Sequence, residues 1–104
     1  MDSGLTGAFM TDRAEVFDAI NSERAYQNQR WGITPDYPTG HNPHSVTEWL
    51  VYMQHYVNEG LKIATMSSKR DDPESRKALE FARKVAALGI VCMEEHGAPR
   101  REGF

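Results

Sequence analysis

The sequence has a single cysteine, Cys92, among 104 residues. That excludes an internal disulfide and a structural zinc site built from several cysteines, and it fits a reducing cytoplasm. Positive charge is not in excess: 12 Lys+Arg against 15 Asp+Glu give a formal net charge of −3 and a pI near 5.8. Proteins that grip phosphate backbones at large present basic surfaces, so general nucleic-acid binding is not expected, while a local basic pocket is compatible with this balance. Long apolar runs are missing as well. The strongest, residues 85–93, is about half of what a bilayer crossing requires, and residues 1–10 lack a basic start followed by a long apolar stretch. A soluble, unprocessed chain without membrane association is the expectation.

What remains is an ordinary globular composition, 39% hydrophobic and 26% charged, in a chain long enough for one core. Residues 1–10 are small, glycine-containing and aperiodic, which reads as a tail; residues 11–97 form one helical domain, and 98–104 a second short tail. Val16, Phe17 and Ile20 fall on one helical stripe, with Asp12 and Glu15 near the positive end of the helix, so a first helix is predicted over 12–29, with Gly32 ending the segment. Residues 33–44 hold three of the five prolines and read as a long loop, a length uncommon in compact domains unless functional. His41 and His44 lie in it; His44 either orders over a ligand or simply precedes the next helix.

Ser45 and Glu48 have the S-x-x-E spacing of a capping box, which starts a second helix over 46–66. Leu50, Met53, Val57, Leu61 and Ala64 make its expected core stripe, slightly weakened by Gly60. Asp72-Pro73 supplies an N-cap and a proline at the first helical position, and Gly97 followed by Pro99 supplies a stop, so a third helix spans 73–96. Its segment 85–93 is apolar nearly all round and must be covered on more than one side. No strand pattern competes. The expected fold is therefore all-α, a bundle of three main helices completed by homo-oligomerisation as a dimer or larger assembly.

Two segments carry a family resemblance: ERAYQNQRWG at 23–32 and KVAALGIVCMEEHGAP at 84–99, together with HSVTEW at 44–49. In this order they resemble small phage-encoded proteins of the MazG-like, all-α nucleoside triphosphate pyrophosphohydrolase superfamily, over roughly residues 14–99. The resemblance implies a helical oligomer, a nucleotide held between helices, and Mg²⁺ ions that activate water to release pyrophosphate. Catalysts of that superfamily carry an E-E-x-x-E type cluster on one helix and an E-x-x-D type pair on the next, because Mg²⁺ needs hard oxygen ligands. Here the leading pair of the first cluster would be Gln54 and His55, with Glu59 shifted by one position. The second pair becomes Glu80 with Arg83, or Phe81 with Lys84. Glu48, Glu59 and Glu80 are the remaining acids, and a cation in place of an acid reverses the local field.

Cationic side chains at Arg83, Lys84 or Lys62 can neutralise a polyanion without generating a nucleophilic water. The leading expectation is thus a non-catalytic protein of the cytoplasm, that of the host cell if phage-encoded, which captures a nucleotide, for instance as a sponge for a nucleotide second messenger of host defence. No cofactor is expected on this reading. The alternative is a divergent pyrophosphohydrolase using Mg²⁺ or Mn²⁺ on Glu48, Glu59 and Glu80; a second alternative is a helical protein-interaction module. Arg24, Tyr26, Gln27 and Trp31 can offer a cation, an amide and stacking surfaces, or else Trp31 closes the core and Arg24 pairs with a carboxylate. Tyr52 and His55 share a face of the second helix with Glu48 and Glu59, either as a binding stripe or as a solvated face, and His55 between two carboxylates would suit Zn or Mn better than Mg. Trp49 is expected in the core or at an interface, and Cys92 as a small hydrophobe.

Overall fold

The computed structural model describes residues 10–32, 35–36, 43–65 and 73–103. Residues 1–9 of the expected tail, most of the proline-rich loop with His41, residues 66–72 with the expected N-cap Asp72, and Phe104 lie outside the described residues. Within them the chain is all-α, with α1 over Arg13–Trp31, α2 over Val46–Ala64 and α3 over Pro73–His96, and no strand.

Local chemistry sets the helix ends. Asp12 is extended and its side chain accepts from Ala14 N at 3.5 Å, so α1 begins where its first free N–H groups find an oxygen. Its last residue is Trp31, two beyond the expected end, because the chain leaves the helix only at Gly32, where φ is 76° and the glycine N–H donates to Asn28 O. At α2 both halves of the capping box form: Glu48 N donates to Ser45 Oγ at 3.0 Å and Ser45 N to Glu48 Oε1 at 2.8 Å. This helix stops two residues earlier than expected. The third helix has the expected bounds, and Gly97, at φ 114°, donates to Met93 O as it leaves.

α3 is the central element. α2 packs antiparallel to it, bringing Trp49 beside Glu95 at one end and Gly60 against Phe81 at the other. α1 lies on another side of α3, and its last residue, Trp31, meets Trp49 with ring centroids 6.2 Å apart. The core is small: Trp49 is 1% exposed among Leu88, Val91 and Cys92, with Trp31, Met53 and Tyr56 packed around it. Trp49 and Cys92 are buried as expected.

The helix faces differ from the expected ones. On α2 the residues that meet α3 are Trp49, Met53, Tyr56 and Gly60, whereas Leu50, Val57, Leu61 and Ala64 of the expected core stripe are exposed. Gly60 is not a weak point in that helix; a Cβ there would stand 3.0 Å from Phe81 Cβ, so the missing side chain is what lets the helices approach. On α1, Val16 and Phe17 are exposed and the buried residues are Glu23, Arg24 and Gln27. This face is polar because α3 offers charges to meet it, Arg83 and Glu94.

Within residues 85–93, which α1 and α2 both approach, Ala87, Leu88, Val91 and Cys92 are buried, Met93 is exposed, and the rest are intermediate. The radius of gyration, 16.1 Å, exceeds the roughly 13 Å of a compact domain of this length. Both observations describe a single chain that leaves apolar helix surface uncovered.

Gly60→Ala is expected to destabilise the protein by about 1–3 kcal/mol through overpacking against Phe81. In an unobstructed helix the same change would stabilise by about 0.5–1 kcal/mol. Urea denaturation followed by circular dichroism distinguishes the two signs.

Candidate functional site

α1 supplies one wall of the site. Glu23, Arg24 and Gln27 share its inner face at 8%, 6% and 7% exposure, and two of the three have strong partners on α3. Arg83 Nε donates to Glu23 Oε1 at 2.7 Å. Arg24 donates through Nε to Glu94 Oε1 at 2.8 Å, also to Asn28 Oδ1, and its guanidinium lies 5.7 Å from the Trp31 ring centre. Arg24 is thus engaged with a carboxylate, as one of the two sequence readings had it.

Gln27, one turn beyond Glu23, is different. Its Oε1 is buried without a hydrogen-bond partner. An acceptor in that condition costs about 1–3 kcal/mol relative to one that is paired. Gln27 is also one of the residues lining a cleft of about 240 Å³ between α1, α2 and α3. Tyr26 and Trp31 from α1 and Tyr56 from α2 supply aromatic surfaces to it, Leu88 supplies an apolar contact, and Glu23, Arg30 and Lys84 line it with charge. Lys84 Nζ lies 5.9 Å from the Tyr56 ring centre and 4.9 Å from that of Phe81, distances at which an ammonium is attracted to an aromatic face.

Four of the sequence candidates therefore meet in one cleft: Tyr26, Gln27, Trp31 and Lys84. Arg83 stands next to it, through its bond to Glu23. Sequence reasoning missed Glu23, Arg30, Tyr56 and Leu88 as lining residues. The i, i+4 spacing of Glu23 and Gln27 was a usable signal for the first, whereas Tyr56 enters from another helix and no local spacing points to it.

The other candidates lie elsewhere. His44 and Tyr52 pack edge-on around Trp49, with His44 4.9 Å from Trp49 and 5.2 Å from Tyr52 between ring centres. This cluster is tied to the end of α3, where Trp49 Nε1 donates to Glu95 Oε1 at 2.7 Å and His96 Nε2 donates to His44 O at 2.6 Å. His55 is exposed and packs edge-on against Tyr56. Lys62 is exposed and pairs with Glu59 at 3.2 Å.

The three acids do not fit a common metal ion within one chain. Glu48 closes the capping box and stands 3.7 Å from His44 Nδ1, Glu59 pairs with Lys62, and Glu80 lies 3.7 Å from Arg83. Among the described residues, no three His, Cys, Asp or Glu side chains are grouped so as to hold a metal. No helix among them is long and apolar enough to cross a membrane. No family model, curated protein or solved structure matches this chain.

The Ser45 backbone N–H is the largest cause holding the Glu48 carboxyl below the usual carboxylate range, outweighing desolvation and helped by the Ser45 side chain and His44. A depressed pKa contributes stability that is present above the unfolded carboxylate value and lost as pH falls through the folded one. Glu48→Gln keeps an acceptor for Ser45 N–H but does not titrate. Thermal melts between about pH 6 and about pH 3 should therefore show a shallower acid-side fall in Tm for Glu48→Gln than for the wild type. Parallel curves would mean that the charge on Glu48 adds nothing to the cap.

Proposed function

We propose that this protein binds a nucleotide in the cleft between its three helices and holds it without cutting it. The observation that carries this reading is a cleft between the three helices lined by the Tyr26, Trp31 and Tyr56 rings and by two cations, Arg30 and Lys84. Tyr26, Trp31 and Tyr56 offer faces for a planar base, and Lys84 and Arg30 offer charge for phosphate. The resemblance to the MazG-like superfamily points to the same ligand class.

Capture is favoured over pyrophosphohydrolysis because Glu48, Glu59 and Glu80 are each engaged by a different neighbour and do not converge. Charge neutralisation by Lys84 and Arg30 supplies no metal-bound water. In a phage setting, a protein of this kind would act as a sponge for a nucleotide second messenger of host defence.

The same proposal includes self-association. Two apolar grooves flank α3, one lined by Val57, Leu61 and Ala64 of α2, the other by Val16, Ala19 and Ile20 of α1. Ala82 and Ala86 line both, so they form a shared ridge of small residues between the two grooves. A second copy of this chain presents the matching surface, and its small residues allow a close helix approach.

The capture test combines mass spectrometry of small molecules released from denatured protein with incubation of native protein, Mg²⁺ and a panel of nucleoside mono- and triphosphates. An intact nucleotide, bound and recovered unchanged, is expected. Release of pyrophosphate would overturn capture in favour of catalysis, and absence of binding by every nucleotide would overturn both. For assembly, size-exclusion chromatography with light scattering should give a dimer or larger particle for the wild type and a monomer for Ala86→Arg, with helix content kept. A monomeric wild type would refute self-association through this ridge.

A further inference from the structure

A cleft wall contributed by the last residue of a helix has to be held by something other than the helix. Trp31 closes α1 just before Gly32 turns the backbone away, so no further turn of that helix follows it, and helix ends fray. Yet Trp31 is one of the rings lining the cleft. Two side chains that do not line the cleft hold it. The Trp49 ring of α2 has its centre 6.2 Å away and is tilted by 37°, and the Arg24 guanidinium, two turns earlier on the same stripe of α1, is 5.7 Å from the Trp31 ring centre.

Both holders are buried, and each is pinned by one of two consecutive carboxylates at the end of α3. Glu95 Oε1 accepts from Trp49 Nε1 at 2.7 Å and from His44 N at 3.3 Å. Glu94 Oε1 accepts from Arg24 Nε at 2.8 Å and lies 2.7 Å from Arg24 Nη2, so two nitrogens of one guanidinium edge share one oxygen and the plane of the group is fixed. We propose that Glu94 and Glu95 are positioning residues for the ligand: through Arg24 and Trp49 they set the Trp31 ring as a preformed stacking surface, although neither carboxylate lines the cleft. This step rests on the nucleotide reading above, whose base would stack on that ring. The gain is preorganisation. Trp31 is ordered when the chain folds, so binding does not have to order it.

The test uses the full chain, whose two tryptophans are Trp31 and Trp49. Indoles this close couple, so their circular-dichroism couplet reports their relative placement in the free protein. Affinities for AMP, GMP, CMP, UMP and the matching triphosphates are read by calorimetry, well below the Tm of each variant. Glu94→Ala, at a half-exposed side chain, and Glu95→Leu should each alter the couplet and weaken the tightest nucleotide by about fivefold or more, the lower end of what a lost base–aromatic stack costs. Glu95→Gln keeps an acceptor oxygen for the Trp49 and His44 N–H groups and should restore both couplet and affinity. In a Trp31→Leu background, which already lacks the ring, Glu94→Ala should change affinity by less than about twofold. A structural role alone would lower Tm and leave the affinity of the folded variants unchanged, and that result would overturn the positioning role while nucleotide capture stands. The same loss with and without Trp31 would overturn it too, because the carboxylate would then act by another route. If no nucleotide in the panel binds, the nucleotide reading fails and this role fails with it.

Discussion

Two ion pairs hold α1 on α3, and the rest of the molecule is arranged around that choice. Glu23 and Arg24 are adjacent on α1, nearly as buried as core leucines, and opposite in charge; Arg83 and Glu94 of α3 answer them with bonds of 2.7 and 2.8 Å. Each pair is half-buried, since Glu94 and Arg83 keep part of their side chains in solvent, and desolvation of the buried member offsets much of the attraction. Removing one member, by contrast, strands a charge. Such pairs therefore fix how one helix sits on another more than they strengthen the contact. Here they turn the α1 face that carries Gln27 to the interior, where its Oε1 is buried without a partner.

The polar seam also explains why so much apolar surface points outward. A helix has one inner face, and α1 uses it for Glu23, Arg24 and Gln27, so Val16 and Phe17 are left on the outside. On α2 the inner face is set by Trp49, whose indole must reach Glu95, and by Gly60, which admits Phe81; Leu50, Val57 and Leu61 are then turned away. The two displaced apolar sets lie on either side of the Ala82 and Ala86 ridge. Five buried apolar residues among those described make a small core, and burial of those outer faces against another copy would add apolar area to it.

Helix boundaries were legible in the sequence because capping is local. Ser45 with Glu48, Gly32 and Gly97 each act within a few residues of the end they define, and the structure places them at those ends. Helix faces were not legible, because a periodic apolar stripe shows which side avoids water without showing whether the cover comes from the same chain. Leu50, Val57 and Leu61 form a sound stripe that a single chain leaves exposed. The cleft was half legible for a related reason. Tyr26, Gln27 and Trp31 lie along one helix, so spacing assembles them, and Lys84 was named from its charge, but Tyr56 joins only because α2 runs antiparallel along α3.

The cations near the cleft do two different kinds of work, and the difference bears on chemistry. Arg83 is committed to Glu23, so replacing it would strand a buried carboxylate and shift α1 before it affected any ligand. Lys84, over the Tyr56 and Phe81 rings, is held by aromatic faces, which orient an ammonium without cancelling its charge. It can therefore meet an anion while Arg83 keeps the wall in place. The cleft thus has cationic lining at Arg30 and Lys84, while Glu48, Glu59 and Glu80 lie outside it, engaged by a helix cap and by neighbouring cations. On the proposed reading, such charge would stabilise a polyphosphate in its ground state, and ground-state binding without an activated nucleophile would retain a ligand instead of turning it over.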